Sequence, residues 1–200
     1  MSGSPDTIGL FGGTFDPMHV GHLIIADAVR IALSLDTVIF IPSAHPPHKG
    51  DTTLFSAQER FVMLQLAVQG NPSFHVSDIE MKREGLSYTI DTIRELKRLY
   101  PGTTEFTFIV GVDNLHEMQM WKNPREILDE CRVIAAKRIC DADRPVPPWI
   151  GDRVETIDVP LIEVSSSLIR QRIRSGRSIR YLVPEPVRQE IIRLGKASPD

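Results

Sequence analysis

Leu10-Phe-Gly-Gly-Thr-Phe-Asp-Pro-Met-His-Val-Gly-His22 is the stretch that decides the fold. It leaves an apolar run, Thr7 to Phe11, short enough to be a buried strand, and enters His19 to Leu33, which is apolar on most of its circumference. A strand that passes through a glycine turn straight into a helix opens a βαβ unit, and open parallel sheets bind ligands at that junction. Gly12 and Gly13 let the backbone approach a phosphate, while a helix starting near His19 aims free N–H groups and its positive dipole end at the same place. His19 and His22 are three residues apart, so both imidazoles project from one face of the first turn. Two other readings of the pair stand beside anion binding. The histidines could cap and pack the helix, or ligate zinc, although helical zinc pairs more often sit four apart and no third ligand follows nearby. The run is neither a Walker A loop nor GxGxxG, since it lacks the Lys-Ser/Thr and the third glycine.

Outward from this junction the same alternation recurs. Thr37 to Ile41, Phe74 to Val76, Phe106 to Val110, Arg132 to Ala136 and Thr156 to Val164 read as strands. Between them, Ser56-Ala-Gln-Glu59 is a capping box opening Phe61 to Val68, and Asn123-Pro-Arg-Glu126 reads as a second, with proline at the first helical position. Tyr88 to Tyr100 reads as a helix stopped by Pro101-Gly102. Strands alternating with helices predict an α/β protein, a Rossmann-like doubly wound parallel sheet with helices on both faces. Pro42 to Leu54 is proline-rich and reads as a loop, and the prolines of Arg138 to Gly151 exclude a regular element across most of its length. The expected organisation is one domain over residues 1–200, with an α/β core over 7–164 and a polar, basic tail over 165–195 forming a small helical cap.

Composition narrows the function classes. With 200 residues, 42% of them hydrophobic, a sizeable core is possible and disorder is excluded. Lys and Arg number 23 against 26 Asp and Glu, a net charge of −3, so any phosphate binding is local and no general nucleic-acid surface exists. The basic run Arg170 to Arg180 is weak support for nucleic acid. Cys131 and Cys140, nine apart, match no zinc or disulfide pattern and read as reduced thiols. No stretch approaches the roughly 18 apolar residues of a membrane span, and the first residues lack the basic and apolar regions of a secretory signal, so a cytoplasmic protein is expected without a membrane partner. Surface and interface leucines look alike in sequence and leave an oligomer open.

Gly12-Gly-Thr-Phe-Asp-Pro-Met-His-Val-Gly-His22 resembles the signature of the HxGH nucleotidyltransferase superfamily, and Val164-Ser-Ser-Ser-Leu-Ile-Arg170 resembles its second motif, often written ISSTxIR. The loop Pro42-Ser-Ala-His-Pro-Pro-His-Lys49, then Ser87-Tyr-Thr89, Gly111-Val-Asp113 and Trp121, look like the bacterial nicotinate-nucleotide adenylyltransferases. The landmarks run in order over roughly Ile8 to Ile192. Departures are mild in the second motif, where Val164 and Ser167 replace Ile and Thr, and larger after Ala136, where Lys137-Arg138-Ile139 stands in place of Arg-Pro.

The resemblance implies transfer of the adenylyl group of ATP to nicotinate mononucleotide, giving nicotinate adenine dinucleotide and pyrophosphate in NAD biosynthesis. The implied route is in-line attack of the substrate phosphate without a covalent enzyme intermediate. It implies catalytic roles for Thr14, His19, His22, Lys49 and Arg170. ATP would meet Gly12, Gly13, Phe15, His19, His22, Gly111, Asp113, Ser166, Ser167 and Arg170. The mononucleotide would meet Gly13, Thr14, Lys49, Tyr88, Thr89 and Trp121. Magnesium would arrive with ATP, held by substrate oxygens and water rather than by a protein cage. Other transferases of the superfamily, for phosphopantetheine or for cytidylyl groups, and a non-catalytic nucleotide sensor on the same fold, are the alternatives.

Overall fold

A computed structural model describes residues 6–46, 53–138 and 146–198, apart from the side chains of Asp113 and Arg138. Six strands form one sheet in the order β3-β2-β1-β4-β5-β6, every neighbouring pair parallel. They are β1 (Thr7–Gly13), β2 (Thr37–Pro42), β3 (Phe74–Val76), β4 (Glu105–Gly111), β5 (Arg132–Arg138) and β6 (Val154–Val159). The helices are α1 (Val20–Ala32), α2 (Ala57–Val68), α3 (Thr89–Leu99), α4 (Val112–Glu117), α5 (Pro124–Glu130), α6 (Pro148–Gly151), α7 (Ser166–Arg174) and α8 (Glu185–Arg193). This is the expected doubly wound arrangement. Its order reverses between β1 and β4, and that switch point is where the carboxyl ends of parallel strands leave a crevice.

Helices on the two faces give two cores. On one, Leu10, Ile39, Phe108 and Val133 meet Ile90, Ile93 and Leu96 of α3 and Ile127 of α5. On the other, Phe11, Phe40, Ile109 and Ile134 meet Ala26 and Val29 of α1 and Leu64 of α2. Central β1 has little room between these layers: a Cβ on Gly9 would lie 3.0 Å from both Ile109 and Leu35. A third cluster joins the tail to α2, with Phe55 and Met63 against Ile169, Ile173, Val187 and Ile191. The tail helices α7 and α8 are thus fastened to the sheet layer through α2.

Several boundaries differ from expectation for identifiable reasons. The run read as a strand over Thr156 to Val164 is β6 only as far as Val159, because Pro160 has no N–H for the ladder. The box at Ser56 forms as read, with Ser56 Oγ accepting from Glu59 N at 3.3 Å and Glu59 Oε2 accepting from Ser56 N at 2.7 Å. The box at Asn123 does not form. Asn123 sits in the left-handed region (φ 48°) instead of the extended conformation of a capping residue, its side chain makes no cap hydrogen bond, and Pro124 alone starts α5. Helix α7 is capped by Ser165, whose Oγ accepts from Leu168 N at 3.1 Å. Cys131 is a free thiol, and Cys140 lies outside the described residues.

Ile191 is fully buried in the cluster that joins α8 to α2. Ile191→Ala is expected to cost about 2–5 kcal/mol in urea unfolding, the usual range for such a cavity. A loss below about 1 kcal/mol would mean that the tail lies outside the cooperative core.

Candidate active site

The chain leaves β1 at Gly13 and reaches the N-cap of α1, His19, through residues 14–18, which belong to neither the sheet nor the helix. The left-handed residue of this turn is Phe15 (φ 51°), not a glycine. Its ring compensates by burial, edge-on to Phe11 at 5.8 Å and to His22 at 5.0 Å. Gly13 is needed for space, since a Cβ there would sit 3.1 Å from the Phe15 ring. The buried carbonyls of the turn are claimed from outside. Arg60 Nη1 donates to Thr14 O at 2.5 Å, Arg170 Nη1 to Asp16 O at 2.7 Å and Ser166 Oγ to Pro17 O at 2.9 Å. The Asp16 carboxylate, buried, accepts from Leu54 N at 3.0 Å and Phe55 N at 2.9 Å.

His19 is the N-cap of α1 in extended conformation, and His22 is in its first turn. Their rings stack, centroids 3.6 Å apart. The His19 N–H donates to His22 Nδ1 at 3.2 Å, which places the His22 ring proton on Nε2. Burial pulls the His19 imidazole down to about 4, so it is neutral at pH 7, and its buried Nδ1 has no partner among the described residues. Gly21, between the two, has a specific task. A Cβ on it would lie 3.0 Å from His19 Nδ1, so any larger residue presses on that ring.

Two clefts open at the switch point. One is walled by Phe11, Gly12 to Asp16, His19, His22, Gly111 and Arg170, and closed by Pro160, Ile162, Val164, Ser165 and Ser166. The other runs from Gly12, Gly13 and Thr14 past Ser43 and Glu80 to Ser87, Tyr88, Thr89 and Trp121. Gly12, Gly13, Thr14 and Asn114 belong to both. In the second cleft Tyr88 caps α3, Lys122 Nζ lies 4.6 Å from its ring centroid, and Trp121 is edge-on to Phe108 at 6.2 Å. Ser87 Oγ ties this wall to β2, accepting from Ala44 N at 3.1 Å and His45 N at 3.2 Å. Burial pushes the Glu80 carboxyl up, against hydrogen bonds from Thr92 and Ser87 and the charges of Arg83 and Arg60.

Most residues singled out in the sequence therefore line one cleft or the other. Ser167 has its hydroxyl on Arg170 Nη2 at 3.0 Å, and Ser166 has its own on Pro17. Gly111 caps α4, which contains Asp113; the Asp113 side chain and the whole of Lys49 lie outside the described residues. Sequence reasoning missed Asp16, Arg60, Glu80 and Asn114. A lone charge on a helix or in a turn gives no periodic signal of burial, and only the fold reveals Asp16, Arg60 and Glu80 as interior; Asn114 is exposed, and only the fold places it where the two clefts meet. Among the described residues no three His, Cys, Asp or Glu side chains are placed to hold a metal ion, and no helix is long and apolar enough to cross a membrane.

An α/β sheet with a 3-2-1-4-5-6 order, a glycine turn after β1 and two clefts meeting there is the arrangement of a nucleotide-handling protein. Residues 10–172 match the family described as cytidylyltransferase-like. A protein of Exiguobacterium sibiricum named a probable nicotinate-nucleotide adenylyltransferase is 50% identical over 184 residues, covering 92% of this chain and 95% of its own. One of the same name from Dehalococcoides mccartyi is 43% identical over 185 residues, covering 90% and 91%. The fold is similar to that of Plasmodium falciparum nicotinic acid mononucleotide adenylyltransferase complexed with NaAD, with a TM-score of 0.77 at 18% identity over 95% of this chain and 96% of that one. The chain belongs to the nicotinate-nucleotide adenylyltransferases, within the cytidylyltransferase-like family.

Two outcomes follow from the histidine pair. Between pH 6.5 and about 4 the unfolded chain binds a proton on His19 that the folded chain excludes, so stability falls as pH drops through this window. The full effect is on the order of 3 kcal/mol below the lower value. His19→Asn is expected to flatten the thermal midpoint across that window, and an unchanged slope would place the sensitivity elsewhere. Gly21→Ala, by displacing the His19 ring, is expected to lower turnover about tenfold or more. Its stability should hardly change, because alanine's helix propensity, about 0.8–1 kcal/mol better than glycine's, offsets the contact. Full turnover in this variant would show that the ring position is not critical.

Proposed function

We propose that the chain transfers the adenylyl group of MgATP to nicotinate mononucleotide, releasing pyrophosphate and nicotinate adenine dinucleotide. The observation that carries this is the meeting of two clefts at Gly12 to Thr14 and Asn114. One is rich in anion donors and the other has an aromatic, helix-capped end. The names of the bacterial relatives and the NaAD complex of the Plasmodium protein support the choice of substrates.

ATP phosphates occupy the cleft of His19, His22 and Arg170, and the pyridine mononucleotide occupies that of Tyr88, Thr89 and Trp121. The mononucleotide's phosphate oxygen, anionic near neutral pH, attacks the α-phosphorus from the Thr14 side. One P–O bond forms as the bond to the β-phosphate breaks, and the electron pair leaves with pyrophosphate. No protein nucleophile and no base are needed, so catalysis is alignment plus stabilisation of spreading charge. His22 Nε2–H donates to the α-phosphate. Neutral His19 stacks beneath it and fixes its orientation. Arg170 has five N–H donors, of which Asp16 O and Ser167 Oγ take two, and its remaining N–H capacity meets phosphate oxygens. Magnesium stays on the phosphates as part of the substrate. Thr89 and the first turn of α3 meet the nicotinate carboxylate, and Trp121 offers its face to the ring.

The test is purified protein with ATP, magnesium and, in parallel, nicotinate mononucleotide, nicotinamide mononucleotide and phosphopantetheine, following pyrophosphate and identifying the product by mass. Nicotinate adenine dinucleotide is expected, with little amide product. Turnover with phosphopantetheine alone would overturn the substrate, and ATP binding without turnover would favour a sensor. His22→Ala should lower turnover by about a hundredfold or more with the thermal midpoint nearly unmoved.

A further inference from the structure

Arg60 is the most deeply buried charged residue described, 1% exposed, and it lines neither cleft. Nevertheless its guanidinium reaches two loops of the site, at Thr14 and Ser43, besides the chain just before its own helix. Nη1 donates to Thr14 O at 2.5 Å, Nη2 to Ser43 O at 2.7 Å and to Ala44 O at 3.4 Å, and Nε to Phe55 O at 3.3 Å. Every hydrogen bond goes to a backbone carbonyl. The nearby negative charges, Asp16 and Glu80, act on it through space. Thr14 is common to both clefts, and Ser43 belongs only to the cleft of Tyr88 and Trp121.

A buried guanidinium is costly unless its donors are used, and here they are used on the loops that shape the site rather than on a carboxylate. The planar fork fixes the directions of several N–H groups at once. Pulling the Thr14 carbonyl inward sets the orientation of the peptide plane that follows it, and hence the direction of the next N–H. Holding Ser43 by the same group sets how far the second cleft stands from that turn.

We propose that Arg60 is a positioning residue for adenylyl transfer, acting through the Thr14 and Ser43 carbonyls to hold the two clefts in register. The inference rests on the reading of the clefts given under Proposed function. It separates two quantities that are otherwise linked, namely how well each nucleotide binds alone and how well the pair is aligned. Misplacement of reacting groups by about 1 Å costs on the order of a hundredfold in rate without a comparable loss of binding.

The experiment uses Arg60→Lys in the full chain, with Arg60→Gln as the second variant should the lysine chain fail to fold. Both keep a helix-favouring stem in α2, and neither reproduces the fork. Calorimetry gives the affinities for ATP, for nicotinate mononucleotide and for nicotinate adenine dinucleotide, which spans both clefts; steady-state kinetics gives kcat and both KM values. Each single nucleotide is expected to bind within about threefold of wild type, while the dinucleotide loses more than about tenfold and kcat falls about a hundredfold. A merely structural role would lower the thermal midpoint and the binding stoichiometry but leave the ratio of dinucleotide to mononucleotide affinity unchanged. That result, or a wild-type kcat in a folded variant, overturns the proposal. A wild-type chain that binds ATP but neither pyridine nucleotide would instead overturn the reading on which it rests.

Discussion

The turn from Thr14 to Pro17 has to bury backbone carbonyls without a ladder or a helix to receive them, and much of the site is organised by how that need is met. Unpaired buried carbonyls cost about as much as a lost hydrogen bond each. Here Arg60 of α2 takes Thr14, Arg170 of α7 takes Asp16, and Ser166 of α7 takes Pro17. Asp16 in turn orders the backbone at Leu54 and Phe55, directly before α2. The donors come from elements far apart in sequence, and 154 positions separate Asp16 from Arg170. Satisfying one turn therefore pins the first helix layer and the tail to the same point, and the third apolar cluster, which joins α2 to α7 and α8, is the packing consequence.

The same distinction between local and distant partners decides how much of the molecule is legible in the sequence. Strand identity followed from short apolar runs, and helix starts from local chemistry, as at Ser56, because both signals are contained within a few residues. The histidine pair and the glycines of the preceding turn were legible too, since a strand, a turn and a helix start coincide there. What failed was longer in range or depended on backbone choice. Asn123 had the right residue type for a cap but adopts the left-handed conformation, and no periodicity reveals that. The apolar run after Val159 looked like more strand, yet Pro160 releases it to wall the cleft beside α1. Arg60 and Glu80 were invisible for a different reason. A single charge on an amphipathic helix or in a loop reads as solvated, and only the closure of the loops around it makes it interior.

The histidine pair shows how packing selects a protonation state. A Cβ-free Gly21 lets His19 lie flat against His22, and the close approach excludes water from His19. Desolvation then holds it neutral. A second cation stacked 3.6 Å from the first would repel it, so the arrangement favours one well-oriented donor over two charges. For phosphate binding that choice has a cost in attraction, and direction replaces it.

The charge balance of the whole chain becomes intelligible at this level. A net charge of −3 gives no long-range pull on a nucleotide. Within the site, however, two carboxylates that line the clefts are engaged by donors: Asp16 accepts from two backbone N–H groups, and Glu80 from Thr92 Oγ1 at 2.7 Å, which itself accepts from Arg83 at 2.6 Å. Asp16 Oδ2 also lies 3.6 Å from Arg170 Nη1, so its charge is partly offset by that guanidinium. At the glycine turn the imidazole pair and Arg170 stand beside this partly neutralised carboxylate, and it is these donors that favour an anion. Local donors can thus act on an anion even in a chain of net charge −3, because exposed charges are screened beyond about 8–10 Å and the average over 200 residues does not enter.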